Sequence, residues 1–98
     1  MGSNNVLWSN STICHDSTLG AHNFIAANAV VGGRARVGSR CFLGFSSVVG
    51  QAVRVCDDVL IGAAAFVKDS VDEPGVYVGA PAVKRRRISP IVGVSVSP

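Results

Sequence analysis

Aliphatic residues return along this chain at every sixth position. Stepping from Leu7 lands on Ile13, Leu19, Ile25, Val31, Val37, Leu43, Val49, Val55, Ile61 and Val67, all Leu, Ile or Val. The next residue is glycine at Gly20, Gly32, Gly38, Gly44, Gly50 and Gly62. The fifth residue of each hexad, from Ser11 to Val71, is small or β-branched in nearly every case. A period of six matches neither a helix nor an alternating strand. It matches a two-residue strand and a turn, repeated. The branched residue fills the interior, and the small residue two places before the next one points inward beside it. This is the hexapeptide pattern of a parallel β-helix, so the predicted fold class is all-β, with the repeat running over residues 6–72 in unbroken register.

These hexads resemble the left-handed β-helix of hexapeptide acyltransferases. The resemblance implies three hexads per triangular coil, hence about 3.5–4 coils and a prism ~17 Å tall at ~4.8 Å per coil. With 18 residues per coil, the outward residues sort into columns. One column is Val6, Phe24, Phe42 and Leu60; the second is Thr12, Val30, Val48 and Phe66; the third is Thr18, Arg36, Arg54 and Asp72. Two columns are apolar and one is polar. A lone prism has no reason to expose two apolar ladders. A homotrimer, as in the family, would bury both; the alternative is a C-terminal segment folded back over one column. Residues 73–87 leave the repeat and are expected as an exit loop and basic segment, with Pro74–Gly75 as a turn and Val76–Val78 as an edge strand. Residues 88–98, with two prolines and no period, are expected to be loosely ordered.

Composition narrows the function classes. The formal net charge of the 98 residues is +3, but Lys84, Arg85, Arg86 and Arg87 supply four of the nine basic residues. The remaining five face six acidic residues in 1–83, so the body is not a nucleic-acid-type basic surface. No apolar run approaches the ~20 residues of a membrane span, and the first residues show no secretory signal. Cys14, Cys41 and Cys56 contain no C-x-x-C pair, which disfavours a disulfide framework or a zinc ribbon; free thiols fit the cytoplasm.

The candidate chemistry centres on His15, at an outward turn position of its hexad. One coil along, the same column holds Gly33, then Gln51 and Asp69. A histidine beside a residue without a side chain leaves room for a ligand and exposes a backbone N–H. Acyl transfer needs that pair: a general base and an oxyanion donor. The other reading is a solvated turn histidine. The stretch Val6–Ser9, His15-Asp16-Ser17, Leu19-Gly20, Gly32-Gly33, Phe42-Leu43-Gly44 and Val78-Gly79-Ala80-Pro81-Ala82 is similar to one branch of the hexapeptide acyltransferases. That branch is the sialic acid O-acetyltransferase and nucleotide-amino-sugar N-acetyltransferase group. The resemblance implies an enzyme using acetyl-CoA as cosubstrate. It makes His15 the general base, Asp16 the acid that raises its basicity, and Gly33 the N–H facing the thioester. It places Phe45 and Ala63 along the coenzyme A channel and Gly79, Pro81 and Ala82 beside the pantetheine. Lys84, Arg85 and Arg86 are candidates for the coenzyme's phosphates, or else a solvated charge run.

Several features depart from that pattern. Phe24 stands where some members have a second histidine, and Val83 intervenes before the expected lysine. Members carry an N-terminal nucleotide-sugar domain for which 98 residues leave no room, so the acceptor, a small hydroxyl or amine compound, is not carried over. Asp16 alternatively pairs with Arg34 one coil on. His22 reads as a solvated turn residue, Cys14 lacks the third group a Cys–His nucleophile requires, and two histidines cannot supply a three-His metal site. The alternative function is a non-catalytic β-helix that binds coenzyme A or only oligomerises.

Overall fold

A computed structural model describes residues 2–86. Strands β1 (Val6–Leu7), β2 (Thr12–Ile13), β3 (Thr18–Leu19), β4 (Phe24–Ile25), β5 (Val30–Val31) and β6 (Arg36–Val37) follow one another every six residues. The period continues through β7 (Phe42–Leu43), β8 (Val48–Val49), β9 (Arg54–Val55), β10 (Val59–Ile61) and β11 (Phe66–Val67). They stack into three parallel sheets: β1-β4-β7-β10, β2-β5-β8-β11 and β3-β6-β9. Partners lie eighteen residues apart, as in Val6 with Phe24, Thr12 with Val30 and Thr18 with Arg36. The triangular β-helix of about four coils is therefore as the hexads predicted.

Backbone geometry explains the period. Every hexad places one non-glycine residue in the left-handed region, with φ between 58° and 63° from Asn4 to Ala64. An i→i+3 hydrogen bond closes the turn, as from Ser11 N–H to the Trp8 carbonyl at 3.1 Å. Positive φ at the third turn residue is the type II signature, for which Asn10 and Asn28 are well suited and Arg34 and Ala52 are not. The recurrent glycines serve a different purpose. A Cβ on Gly44 would meet the Ala63 nitrogen of the next coil at 2.8 Å, so coils could not stack at strand spacing.

The core is the aliphatic column itself. Leu19, Ile25, Val31, Val37, Leu43, Val49, Val55, Ile61 and Val67 are buried, with Ala29, Ala35, Cys41, Val53, Val59 and Ala65 beside them. Leu7 is 41% exposed because its coil has a neighbour on one side only. Buried polar groups are paired: Asn23 donates from Nδ2 to the Gly38 carbonyl and accepts the Cys41 N–H on Oδ1, at 2.9 and 2.8 Å. Its own N–H donates to Asn5 Oδ1, so asparagine side chains cross-link successive coils.

The register departs from expectation after Val67. Val55 bridges to Val71, sixteen residues on rather than eighteen, and Leu60 pairs with Val76 at the same reduced offset. Asp72 therefore does not stack on Arg54. The eighteen-residue register would put Glu73 in the core position above Val55; shortening the coil by two residues puts Val71 there instead. Residues 73–87 also hold more than a loop. Gly75 opens a strand, β12 (Gly75–Val78), rather than closing a turn with Pro74. β12 lies between β10 and an antiparallel β13 (Val83–Arg86), so Val76–Val78 are not at an edge. Arg87 and the segment 88–98 lie outside the described residues. Among the described residues no helix is long and apolar enough to cross a membrane.

Candidate active site

His15 occupies the turn that joins the second sheet to the third, and its side chain is 91% exposed. Its Nε2 lies 3.4 Å from Asp16 Oδ2, so the adjacent acid turns back toward the ring. The left-handed φ of 60° at Asp16 sets that direction. The expected alternative, an Asp16–Arg34 ion pair, does not form; Arg34 instead donates its N–H to the His15 carbonyl at 3.1 Å. That bond fixes the His15 turn onto the next coil.

Gly33 lies directly beside His15. A Cβ on Gly33 would come no closer than 3.6 Å to the His15 carbonyl oxygen, so a small side chain would fit, and glycine keeps the space open. Among the described residues the Gly33 N–H meets no acceptor. The equivalent turn amides of another edge are capped: Ala21 N–H donates to Ser39 Oγ, and Ser39 N–H to Asp57 Oδ1. The column of His15, Gly33 and Gln51 lacks such a cap. It therefore offers an available N–H next to an imidazole whose Nδ1 has no partner among the described residues.

Phe45 and Ala63 stand on a different edge, where the first sheet turns into the second. Ala64 N–H donates to the Phe45 carbonyl at 2.8 Å, which stacks the two turns. Phe45 is 51% exposed and packs edge-on against Trp8, with ring centroids 6.2 Å apart. Trp8 also leans on Phe24, which stacks on Phe42 at 5.0 Å with 3° between planes. The sequence reading gave Trp8 no role. Its eighteen-residue column continues as Ala26, Gly44 and Gly62, and only the fold shows that its ring spans Phe24 and Phe45.

Gly79, Pro81 and Ala82 lie across the last strand of the second sheet. Phe66 N–H donates to the Gly79 carbonyl at 2.9 Å, and Ala82 N–H to the Phe66 carbonyl at 2.8 Å. Gly79 has φ of 101°, which side-chain-bearing residues rarely adopt, so this crossing requires glycine. Lys84 is not a free cation. Its Nζ sits 2.9 Å from Glu73 Oε1, whereas Arg85 is exposed. The structure thus brings His15, Asp16 and Gly33 together on one edge. It places Phe45 and Ala63 on the next edge, and the second sheet with its Gly79–Ala82 crossing between them.

The other titratable groups are structural. Arg40 holds Asp58 in a two-point pair at 2.8 and 3.2 Å, which keeps the Asp58 carboxyl below the usual range. Burial pushes the Cys41 thiol up to about 11, so it is protonated and unreactive at neutral pH. All three cysteines are free. His22 is an exposed turn residue on the third edge. Among the described residues no cluster of three metal-binding side chains occurs.

Residues 1–33 match the profile of the bacterial transferase hexapeptide family, six repeats. No curated protein sequence matches the chain. Solved structures do. The acetyltransferase domain of PglB from Neisseria gonorrhoeae aligns at 25% identity and a TM-score of 0.80, over 83% of this chain and 40% of that one. A maltose O-acetyltransferase from Clostridium difficile aligns at 17% identity and 0.69, over 89% and 59%. AntD, an N-acyltransferase from Bacillus cereus in complex with an amino-sugar nucleotide and coenzyme A, aligns at 19% and 0.67, over 89% and 65%. The chain spans less than two thirds of the length of each. In its repeat and coil geometry the chain has the hexapeptide-repeat β-helix fold, and the solved structures it is similar to are acetyl- and acyltransferases.

Proposed function

We propose that the chain is an acetyltransferase of the sialic acid O-acetyl and nucleotide-amino-sugar N-acetyl type. It would move the acetyl group of acetyl-CoA to a hydroxyl or amine of a small acceptor such as a sugar. The observation that carries this is the exposed His15, held by Asp16 and placed beside the unpartnered Gly33 N–H. The coenzyme lies along the apolar second sheet, over Val30, Val48 and Phe66. The His15–Gly33 edge bounds it on one side and the Phe45–Ala63 edge on the other. The Gly79–Ala82 crossing meets its pantetheine, and Arg85 its phosphates, while Lys84 first has to leave Glu73. A neighbouring subunit of a homotrimer packs on the first apolar face and another closes over the coenzyme on the second; Val6, Phe42 and Phe66 of these faces are 45%, 39% and 40% exposed in the single chain.

The chemistry follows from the geometry. With Asp16 Oδ2 3.4 Å from Nε2, Nδ1 serves as the acceptor nitrogen of His15. Nδ1 takes the proton of the acceptor hydroxyl or amine as its oxygen or nitrogen attacks the thioester carbon. The carbonyl oxygen gains negative charge and receives the Gly33 N–H. Collapse of the tetrahedral species breaks the carbon–sulfur bond, and the departing thiolate recovers the proton from His15. Free thiols and the absence of a membrane helix among the described residues accord with a cytoplasmic enzyme.

The test is acetyl transfer to a panel of amino and hydroxy sugars by wild type and His15→Ala. The substitution removes an exposed ring and leaves no cavity, so fold and assembly should persist while the rate falls ~10²–10⁴-fold. Asp16→Asn should cost less. Equal turnover by wild type and His15→Ala would overturn the assignment. Coenzyme A binding with no transfer would leave the non-catalytic reading, for which Phe24 in place of a polar contact speaks.

A further inference from the structure

The third sheet has one strand fewer than the second, and a groove opens where that strand would be. Beyond β9 the chain makes only the single bridge from Val55 to Val71 before it turns away. The resulting groove, about 250 Å³, is bordered by Arg36, Gly38, Arg54, Cys56 and Asp72, while Val37, Val55 and Val71 beneath it keep their side chains in the core. Its wall is fixed by backbone. Arg54 N–H donates to Ser70 Oγ at 3.0 Å, Val71 N–H to the Arg54 carbonyl at 2.7 Å, and Cys56 N–H to the Val71 carbonyl at 3.0 Å.

Arg36 and Arg54 are register partners in adjacent coils. Their outward side chains start about 4.8 Å apart, a spacing at which like charges repel. Arg40, on the neighbouring turn, is engaged by both Asp57 and Asp58. Neither Arg36 nor Arg54 has a carboxylate within ion-pair distance among the described residues, and both are exposed. Two stacked, unneutralised guanidiniums at the mouth of this groove present a forked set of donors suited to a phosphoryl group.

We infer that this groove is an anion site, separate from the His15 edge, for a small organic phosphate. Its phosphoryl oxygens are shared between Arg36 and Arg54, and the rest of the molecule lies over Gly38 and Cys56. A dianion there also relieves the repulsion between the two arginines. Asp72, on the same rim, opposes the phosphate and limits its affinity.

Amide NMR shifts during titration with sodium phosphate, against sodium chloride at matched ionic strength, test this. The expected result is saturable shifts in phosphate only, confined to residues 36–38, 54–56 and 71–72. Arg36→Gln and Arg54→Gln should each weaken the affinity about tenfold, and Asp72→Asn should strengthen it about threefold. Non-saturating shifts, shifts matching those in chloride, or affinities unchanged in Arg54→Gln would overturn the proposal. The phosphates of coenzyme A are the alternative source of the same chemistry. Excess coenzyme A should leave the phosphate shifts in place; their displacement would show a subsite of the cosubstrate and overturn a separate site.

Discussion

Replacing Asn23 by alanine should damage this solenoid more than its size suggests. Asn23 is 2% exposed, and its side chain supplies two coil-to-coil hydrogen bonds, to the Gly38 carbonyl and from the Cys41 N–H. Alanine removes that side chain and leaves the buried Cys41 N–H with nothing to bond, while the Gly38 carbonyl keeps only the longer bond from the Gly20 N–H at 3.2 Å. The orphaned N–H costs ~1–3 kcal/mol and the lost carbonyl bond ~1 kcal/mol, so the total is about 2–4 kcal/mol. For a domain of this size that is a fall of at least ~10 °C in midpoint. Asn5 makes the equivalent links one coil earlier, to the Gly20 carbonyl and from the Asn23 N–H, but is only half-buried. Water can replace its bonds, so Asn5→Ala should cost less than ~1 kcal/mol. Urea denaturation followed by far-ultraviolet circular dichroism, at one fixed protein concentration, measures both. If Asn23→Ala stays within ~0.5 kcal/mol of wild type, or Asn5→Ala costs as much, the polar cross-links do not hold the coils as argued.

Three further outcomes follow from the same geometry. Cys41 is held protonated to about pH 11 in the folded chain but ionises near 9 when unfolded, so stability should be constant below pH 9 and decline from there to pH 11. That decline should be smaller by up to about 2–3 kcal/mol in Cys41→Ala, where the raised Cys56 and Tyr77 still contribute, and an identical pH profile in the variant would exclude the thiol as a cause. Ala52 has φ of 60°, where glycine is unstrained, so Ala52→Gly should raise the thermal midpoint by about 4 °C despite its entropic cost; a fall would contradict the strain. Phe42→Asp should convert a ~30 kDa assembly into ~10 kDa monomers in light scattering, since it puts a charge in a packed apolar face; a wild-type monomer at micromolar concentration would refute the trimer.

The fold was legible in the sequence because the core repeat is strict. Eleven aliphatics at a six-residue step fix which side chains face inward, and eighteen-residue stacking then fixes the outward columns. What could not be read was the end of the repeat. Val71 looked like one more small inward residue, yet it sits in register with Val55 because the last coil is two residues short. No local signal marks that shortening. It follows from burying Val71, Val76 and Tyr77 in place of Glu73. The neighbours of His15 were legible for the same stacking reason, since Gly33 is its eighteen-residue partner. The choice of Asp16 between His15 and Arg34 was not, because it depends on which way a left-handed turn aims its side chain. The pairing of Lys84 with Glu73 was equally hidden. It arises only when β13 returns antiparallel to β12 and brings an eleven-residue separation into contact.

Calorimetric titration of the full chain with acetyl-CoA tests the central claim most directly, because a coenzyme site along the second sheet is what the proposed activity rests on. The account predicts saturable binding of one acetyl-CoA per chain, weakened at least tenfold when Val48→Glu places a charge in the middle of that sheet's outer face. No saturable heat at any attainable concentration, or equal affinity in Val48→Glu, would contradict it.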